Sequence, residues 1–100
     1  MKVYLRAAGN ISPQESIDPD LFFSRRAHYS GNRMHAIEPD YTQYVDSKMI
    51  RRMSRIVKMG VAAAMECLRN AAVAMPEAIV TGTAYGCLED TGVFLRRMID

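Results

Sequence analysis

Tryptophan is absent from this chain of 100 residues, and cysteine occurs only twice. Cys67 and Cys87 lie too far apart for a C-x-x-C pair, so neither a disulfide framework nor a redox motif is legible. No run of about 18 apolar residues occurs, so no transmembrane helix is expected. The opening Met-Lys-Val-Tyr-Leu-Arg lacks the apolar core of a secretory signal. Lone thiols without an export signal read as reduced, and the expected location is the cytoplasm. Charge of one sign is also scarce. The net charge of +2 gives no global pull toward nucleic acid or an anionic membrane, and neither is expected as a partner.

What is present is a globular composition, 49% hydrophobic and 24% charged, with eight methionines. Most methionines fall at helical spacing, which suits core packing. Residues 2 to 8 alternate: Val3, Leu5 and Ala7 face one way, Lys2, Tyr4 and Arg6 the other. That period predicts a strand, ended by Gly9 and Asn10, with Ser12 and Pro13 opening a loop. Residues 13 to 45 hold three of the four prolines together with Phe22, Phe23, Tyr29, Tyr41 and Tyr44. The stretch is too aromatic for a flexible linker, and a short helix is expected near Leu21 to Arg26.

Residues 47 to 74 predict one long amphipathic helix. Met49, Met53, Ile56, Val57, Gly60, Ala64, Cys67, Leu68 and Ala71 recur at three and four. Asp46 or Ser47 can cap it, and Pro76 enforces its stop. Gly60 and Ala62 to Ala64 allow a neighbour's backbone to approach closely. Residues 78 to 83 read as a strand buried on both faces. A glycine turn follows, and then a helix with Glu89 and Asp90 at its start and Arg96 and Arg97 at its end, an order that suits the helix dipole. The expected fold class is therefore α/β: a β-α-β-α unit, incomplete on its own, because two strands do not make a stable sheet.

Several residues invite chemistry. Cys87 sits at a helix start, where a thiol is acidified, yet Glu89 and Asp90 oppose that effect; a structural, buried cysteine is the favoured reading. Gly82 to Gly86 fits no phosphate-loop pattern. His28, His35, Cys67 and Cys87 have no metal-ligand spacing, so no metal site is expected. Lys48, Arg51, Arg52, Arg55 and Lys58 crowd a helix N-terminus, where cations oppose the dipole and repel one another. The cluster is locally unfavourable. It faces an anionic partner, or it is a solvated face, or it pairs with acids such as Glu38 and Asp40.

Three segments, in order, resemble β-ketoacyl-(acyl carrier protein) synthases. Val3 to Pro13, ending Gly9-Asn10-Ile11-Ser12-Pro13, is similar to the family's first strand and turn. Arg51 to Arg55, running into Gly60 to Met65, resembles its basic helix with a small-residue middle. Val80 to Leu88 resembles its glycine-rich strand end. The resemblance implies that residues 1–100 are the N-terminal portion of a thiolase-like α-β-α-β-α fold. It implies a cytoplasmic, dimeric acyltransferase that joins acyl and malonyl thioesters by decarboxylative condensation, without a cofactor, in fatty acid, polyene or polyketide biosynthesis.

By this resemblance no catalytic residue lies in the chain. The family's nucleophile belongs further along, and Cys87 occupies a glycine position. Lys48, Arg51 and Arg52 match positions that touch the acyl carrier protein, and Tyr85 matches a position lining the acyl pocket. Further partners implied are the remainder of the synthase chain and a homodimeric or heterodimeric mate. Ala7, Ser54, Ala84 and Cys87 depart from the common pattern. A non-catalytic chain-length-factor-like subunit is the alternative.

Overall fold

A computed structural model describes residues 1–24 and 26–100. Among these residues four α-helices follow one another: α1 (Pro19–Ser24), α2 (Ser47–Ile50), α3 (Arg55–Ala71) and α4 (Leu88–Ile99), with a 3₁₀ turn at Tyr41–Gln43. No strand occurs among the described residues. The expected α/β class, with its β-α-β-α order, is therefore corrected to an all-helical one. Residues 2 to 8 and 78 to 83 carry the apolar patterning but form no strand pairing among the described residues. An alternating pattern specifies a face; a strand needs a neighbour to bond with.

The helix expected over 47 to 74 is broken in two. After α2, Arg52 and Met53 bond back three residues, to the carbonyls of Met49 (3.0 Å) and Ile50 (3.1 Å), and the chain unwinds. Ser54 then starts α3 by accepting from the Val57 amide at 3.4 Å. A serine that competes for backbone donors and a crowd of like charges both favour a break here. The far end of α3 is set by Ala72, not Pro76. Ala72 takes a left-handed conformation (φ 56°), its amide bonds Arg69, and the Val73 amide reaches the Leu68 carbonyl. This is a Schellman turn built on alanine in place of the usual glycine.

The helix expected near Leu21 to Arg26 is α1; Arg25 lies outside the described residues. Asp18 Oδ1 accepts from the Asp20 amide at 2.9 Å and Pro19 takes the first helical position, a favourable start. Residues 10 to 45 are tied by side chains. Gln14 Nε2 donates to the Ala27 carbonyl and Gln14 Oε1 accepts from the Ala27 amide, both at 2.9 Å. The Ile37 amide donates to Ser12 O at 2.8 Å, and the Tyr29 hydroxyl donates to Pro13 O.

The interior is small. Ala62 is the one fully buried apolar residue among those described. Above it the chain passes at Gly9, where a Cβ would collide with the Ala63 carbonyl and lie 3.0 Å from the Cys67 amide. The radius of gyration is 16.3 Å, against about 13 Å for a compact domain of this length. The surface is 8958 Å², against roughly 5,700 Å² for a compact monomer of this mass. Among the described residues α4 does not pack along α3; the two approach at their N-terminal ends, where Ser54 Oγ and Cys87 Sγ lie 3.2 Å apart. Among the described residues no helix is long and apolar enough to cross a membrane.

Candidate functional site

The five basic residues of 48 to 58 separate into two groups. Arg55 Nε bonds Glu38 Oε2 at 3.1 Å, and Lys58 Nζ lies 5.6 Å from the centre of the Tyr41 ring. The Tyr41 hydroxyl donates to the other oxygen of Glu38 at 2.6 Å. The Tyr41 hydrogen bond above all holds the Glu38 carboxyl below its ordinary range; burial pushes the other way, and the Arg55 bond and the Arg55 and Lys58 charges add to the lowering. Burial, then the bond to Glu38, push the Tyr41 phenol well above its ordinary range. Half of the expected pairing with acids is thus realised, at Glu38. Asp40 instead caps the 3₁₀ turn, accepting from the Thr42 amide (3.0 Å) and hydroxyl (2.6 Å).

Lys48, Arg51 and Arg52 form the other group. All three side chains are exposed, and none is ion-paired among the described residues. Lys48 lies within α2, Arg51 caps its end, and Arg52 follows in the break before α3. Residues 48 to 52 are presented by a fixed frame. Asp46 accepts from the Lys48 amide at 3.2 Å, and α2 packs on the 3₁₀ turn that Glu38 and Arg55 anchor to α3.

A second fixing point lies one face further along α3. The Tyr44 hydroxyl donates to Glu66 Oε2 at 3.0 Å, Arg69 Nη1 reaches the same oxygen at 3.3 Å, and the Arg69 guanidinium lies 5.2 Å from the Tyr44 ring centre. Burial, then Glu66, raise the Tyr44 phenol. Each fixing point joins one tyrosine and one carboxylate, with Arg55 and Lys58 at the first and Arg69 at the second, and together they pin residues 38 to 44 along α3. Glu66 and Gln14 were missed at the sequence level. Tyr44 and Glu66 are 22 positions apart, and no local pattern links them.

Tyr85 lies near the α3 start. It lines an open cleft of about 650 Å³ with Arg55, Ile56, Met59, Cys87 and Glu89, and remains 80% exposed. Cys87 is also exposed, which corrects the buried, structural reading. It precedes α4 as the N-cap, makes no capping bond, and places Sγ 3.2 Å from Ser54 Oγ. Lys48, Arg51 and Arg52 do not line the Tyr85 cleft; only their neighbour Arg55 does. No group of three His, Cys, Asp or Glu side chains gathers among the described residues.

Set against protein-family models, curated proteins and solved structures, the chain matches none of them.

Proposed function

We propose that this chain is a segment of a 3-oxoacyl-(acyl carrier protein) synthase-like acyltransferase, cytoplasmic and dimeric, and that Lys48, Arg51 and Arg52 receive the acyl carrier protein. One observation carries the docking: of five clustered cations, the two with a structural task are engaged by Glu38 and Tyr41, and the other three are exposed and form no ion pair among the described residues. Like charges held together without an internal counter-charge are stabilised by an external anion. The order of the three resembling segments in the sequence supports the wider reading.

In such an enzyme the acyl group rests on a cysteine and the malonyl thioester arrives on the carrier. Loss of carbon dioxide supplies the carbon nucleophile. This segment's part is to hold the carrier and, through Tyr85, to shape the acyl tunnel; it supplies no catalytic group. Docking through three exposed cations speeds encounter and weakens steeply with salt.

The test is binding of the full protein to its acyl carrier protein at low ionic strength. Arg51→Glu with Arg52→Glu is expected to weaken binding about tenfold or more. Arg97→Glu, on α4, is expected to change it little. Equal affinity of the wild type and the double variant would remove the carrier reading.

A further inference from the structure

One wall of the Tyr85 cleft is firmly seated and the other is hung. Arg55, Ile56 and Met59 form the first wall, on α3, which the Glu38, Tyr41 and Tyr44 contacts hold to residues 38 to 44. Tyr85, Leu88, Glu89 and Asp90 form the second. Thr83 Oγ1 accepts from the Gly86 amide at 3.0 Å, and the Leu88 amide donates to the Tyr85 carbonyl at 3.3 Å, so this turn and α4 move as one piece. The piece hangs on residues 74 to 82, which make no hydrogen bond among the described residues. Val80 in this strap is 97% exposed. Beyond the strap, the Ser54–Cys87 bond is the one hydrogen bond that ties the piece to the rest of the described chain. A strap without bonds or burial bends at little cost.

The two walls carry opposite charge. Arg55 donates to Glu38 through Nε alone, and its side chain is 50% exposed, so both Nη groups are left without a hydrogen bond among the described residues. Glu89 and Asp90 are exposed on the facing wall, and neither is ion-paired. Apolar surface is open on both sides too, Ile56 at 48% and Leu88 at 62%. We propose that residues 83 to 99 form a lid, which swings on the strap to close the cleft and brings the acids of the α4 start to the Nη groups of Arg55. Closure also covers Ile56 and Met59 with Leu88 and Tyr85. Nε stays on Glu38 throughout, so Arg55 ties the closed lid to the frame behind it. An ion pair at an exposed rim contributes only about 0.2–1 kcal/mol, enough to bias the lid without locking it. The cleft therefore still opens to admit an occupant. The lid uses none of Lys48, Arg51 and Arg52, and it stands whatever those residues bind.

Hydroxyl-radical footprinting of the full protein, read peptide by peptide, tests the lid. Met59 and Tyr85 report on the cleft, and Met34, outside it, is the internal reference. At low salt the wild type is expected to protect both reporters. Raising the salt should increase their oxidation about twofold to fivefold, as the rim pair is screened. Glu89→Gln with Asp90→Asn should give the higher oxidation at every salt concentration. Hydrogen exchange over residues 91 to 98 shows whether α4 stays folded in that variant. Arg55→Gln leaves α4 untouched, and it should abolish the salt response in the same way. Salt-independent oxidation of Met59 and Tyr85 in the wild type, or a salt response that persists in either folded variant, would overturn the lid.

Discussion

Ser54 and Cys87 touch: Oγ and Sγ lie 3.2 Å apart, and each residue is the N-cap of its own helix. Two positive helix ends are thereby brought together. The first turn of α3 holds no acid and begins with Arg55, so it cannot compensate its own dipole. The first turn of α4 holds Glu89 and Asp90, and both line the cleft that Arg55 shares. The acids of one helix thus serve the starts of both.

Ser54→Ala removes the cap of α3 and is expected to cost about 1 kcal/mol, while Ser54→Asp, which can still accept from the Val57 amide, should be close to neutral. Urea unfolding of the full protein measures both. Equal losses for the two variants would show that the cap contributes nothing.

Ala72 holds a left-handed conformation at φ 56°, where glycine is at ease and alanine is not. Ala72→Gly is expected to stabilise the protein by a few tenths to about 1 kcal/mol, the strain relieved exceeding the added freedom of the unfolded chain. A lowered unfolding midpoint would contradict the assignment.

At Gly9 the backbone lies against α3 so closely that Gly9→Ala must push the two apart. The expected penalty is about 1–3 kcal/mol, as for other overpacked sites. Amide exchange around residues 8 to 11 and 63 to 67 should quicken together. Unchanged exchange in both segments would contradict this close approach.

The Glu38–Tyr41–Arg55 pin fixes a pH window. Glu38 has a depressed carboxyl, so its contribution is present above the ordinary carboxylate range and is lost as pH falls through its lowered value. Tyr41 has a raised phenol, so its contribution is present below the ordinary tyrosine range and is lost as pH rises through its raised value. Absorbance titration of the phenols should show late steps, one removed by Tyr41→Phe and one by Tyr44→Phe. If neither substitution removes a late step, the two pins are absent in solution.

Tyr85, exposed in the cleft, supplies the bulk that would shorten or reshape an acyl tunnel. Tyr85→Ala in the full protein is expected to lengthen the acyl chains accepted. An identical product profile would reject a pocket role for Tyr85.

The helices were legible in the sequence because their signals are local. Glu89, Asp90, Arg96 and Arg97 mark both ends of α4 within a dozen residues. The break at Ser54 was not legible, since the apolar period runs unbroken from Met49 to Ile56 and neither the serine's hydrogen bond nor the like charges around it disturb that period. The stop at Ala72 was hidden for a similar reason, because alanine gives no sign of a left-handed turn and Pro76 draws attention past it. Alternation over residues 2 to 8 encodes which side chains share a face but not what bonds the backbone, and there the reading failed. The exposed basic trio was legible as a charge conflict. What divides it from Arg55 and Lys58 is the position of Glu38 and Tyr41, which only the folded chain supplies.

The Gln14 carboxamide imitates a peptide group, giving one bond to Ala27 and taking one back. The two bonds close the stretch between Gln14 and Ala27 into a ring. Such a ring can lengthen or shorten between its two fastened ends while Tyr41, Tyr44 and the long helix stay in place. Among descendants of this sequence, insertions and deletions should accumulate inside that ring, and Gln14 itself should be the position that cannot drift.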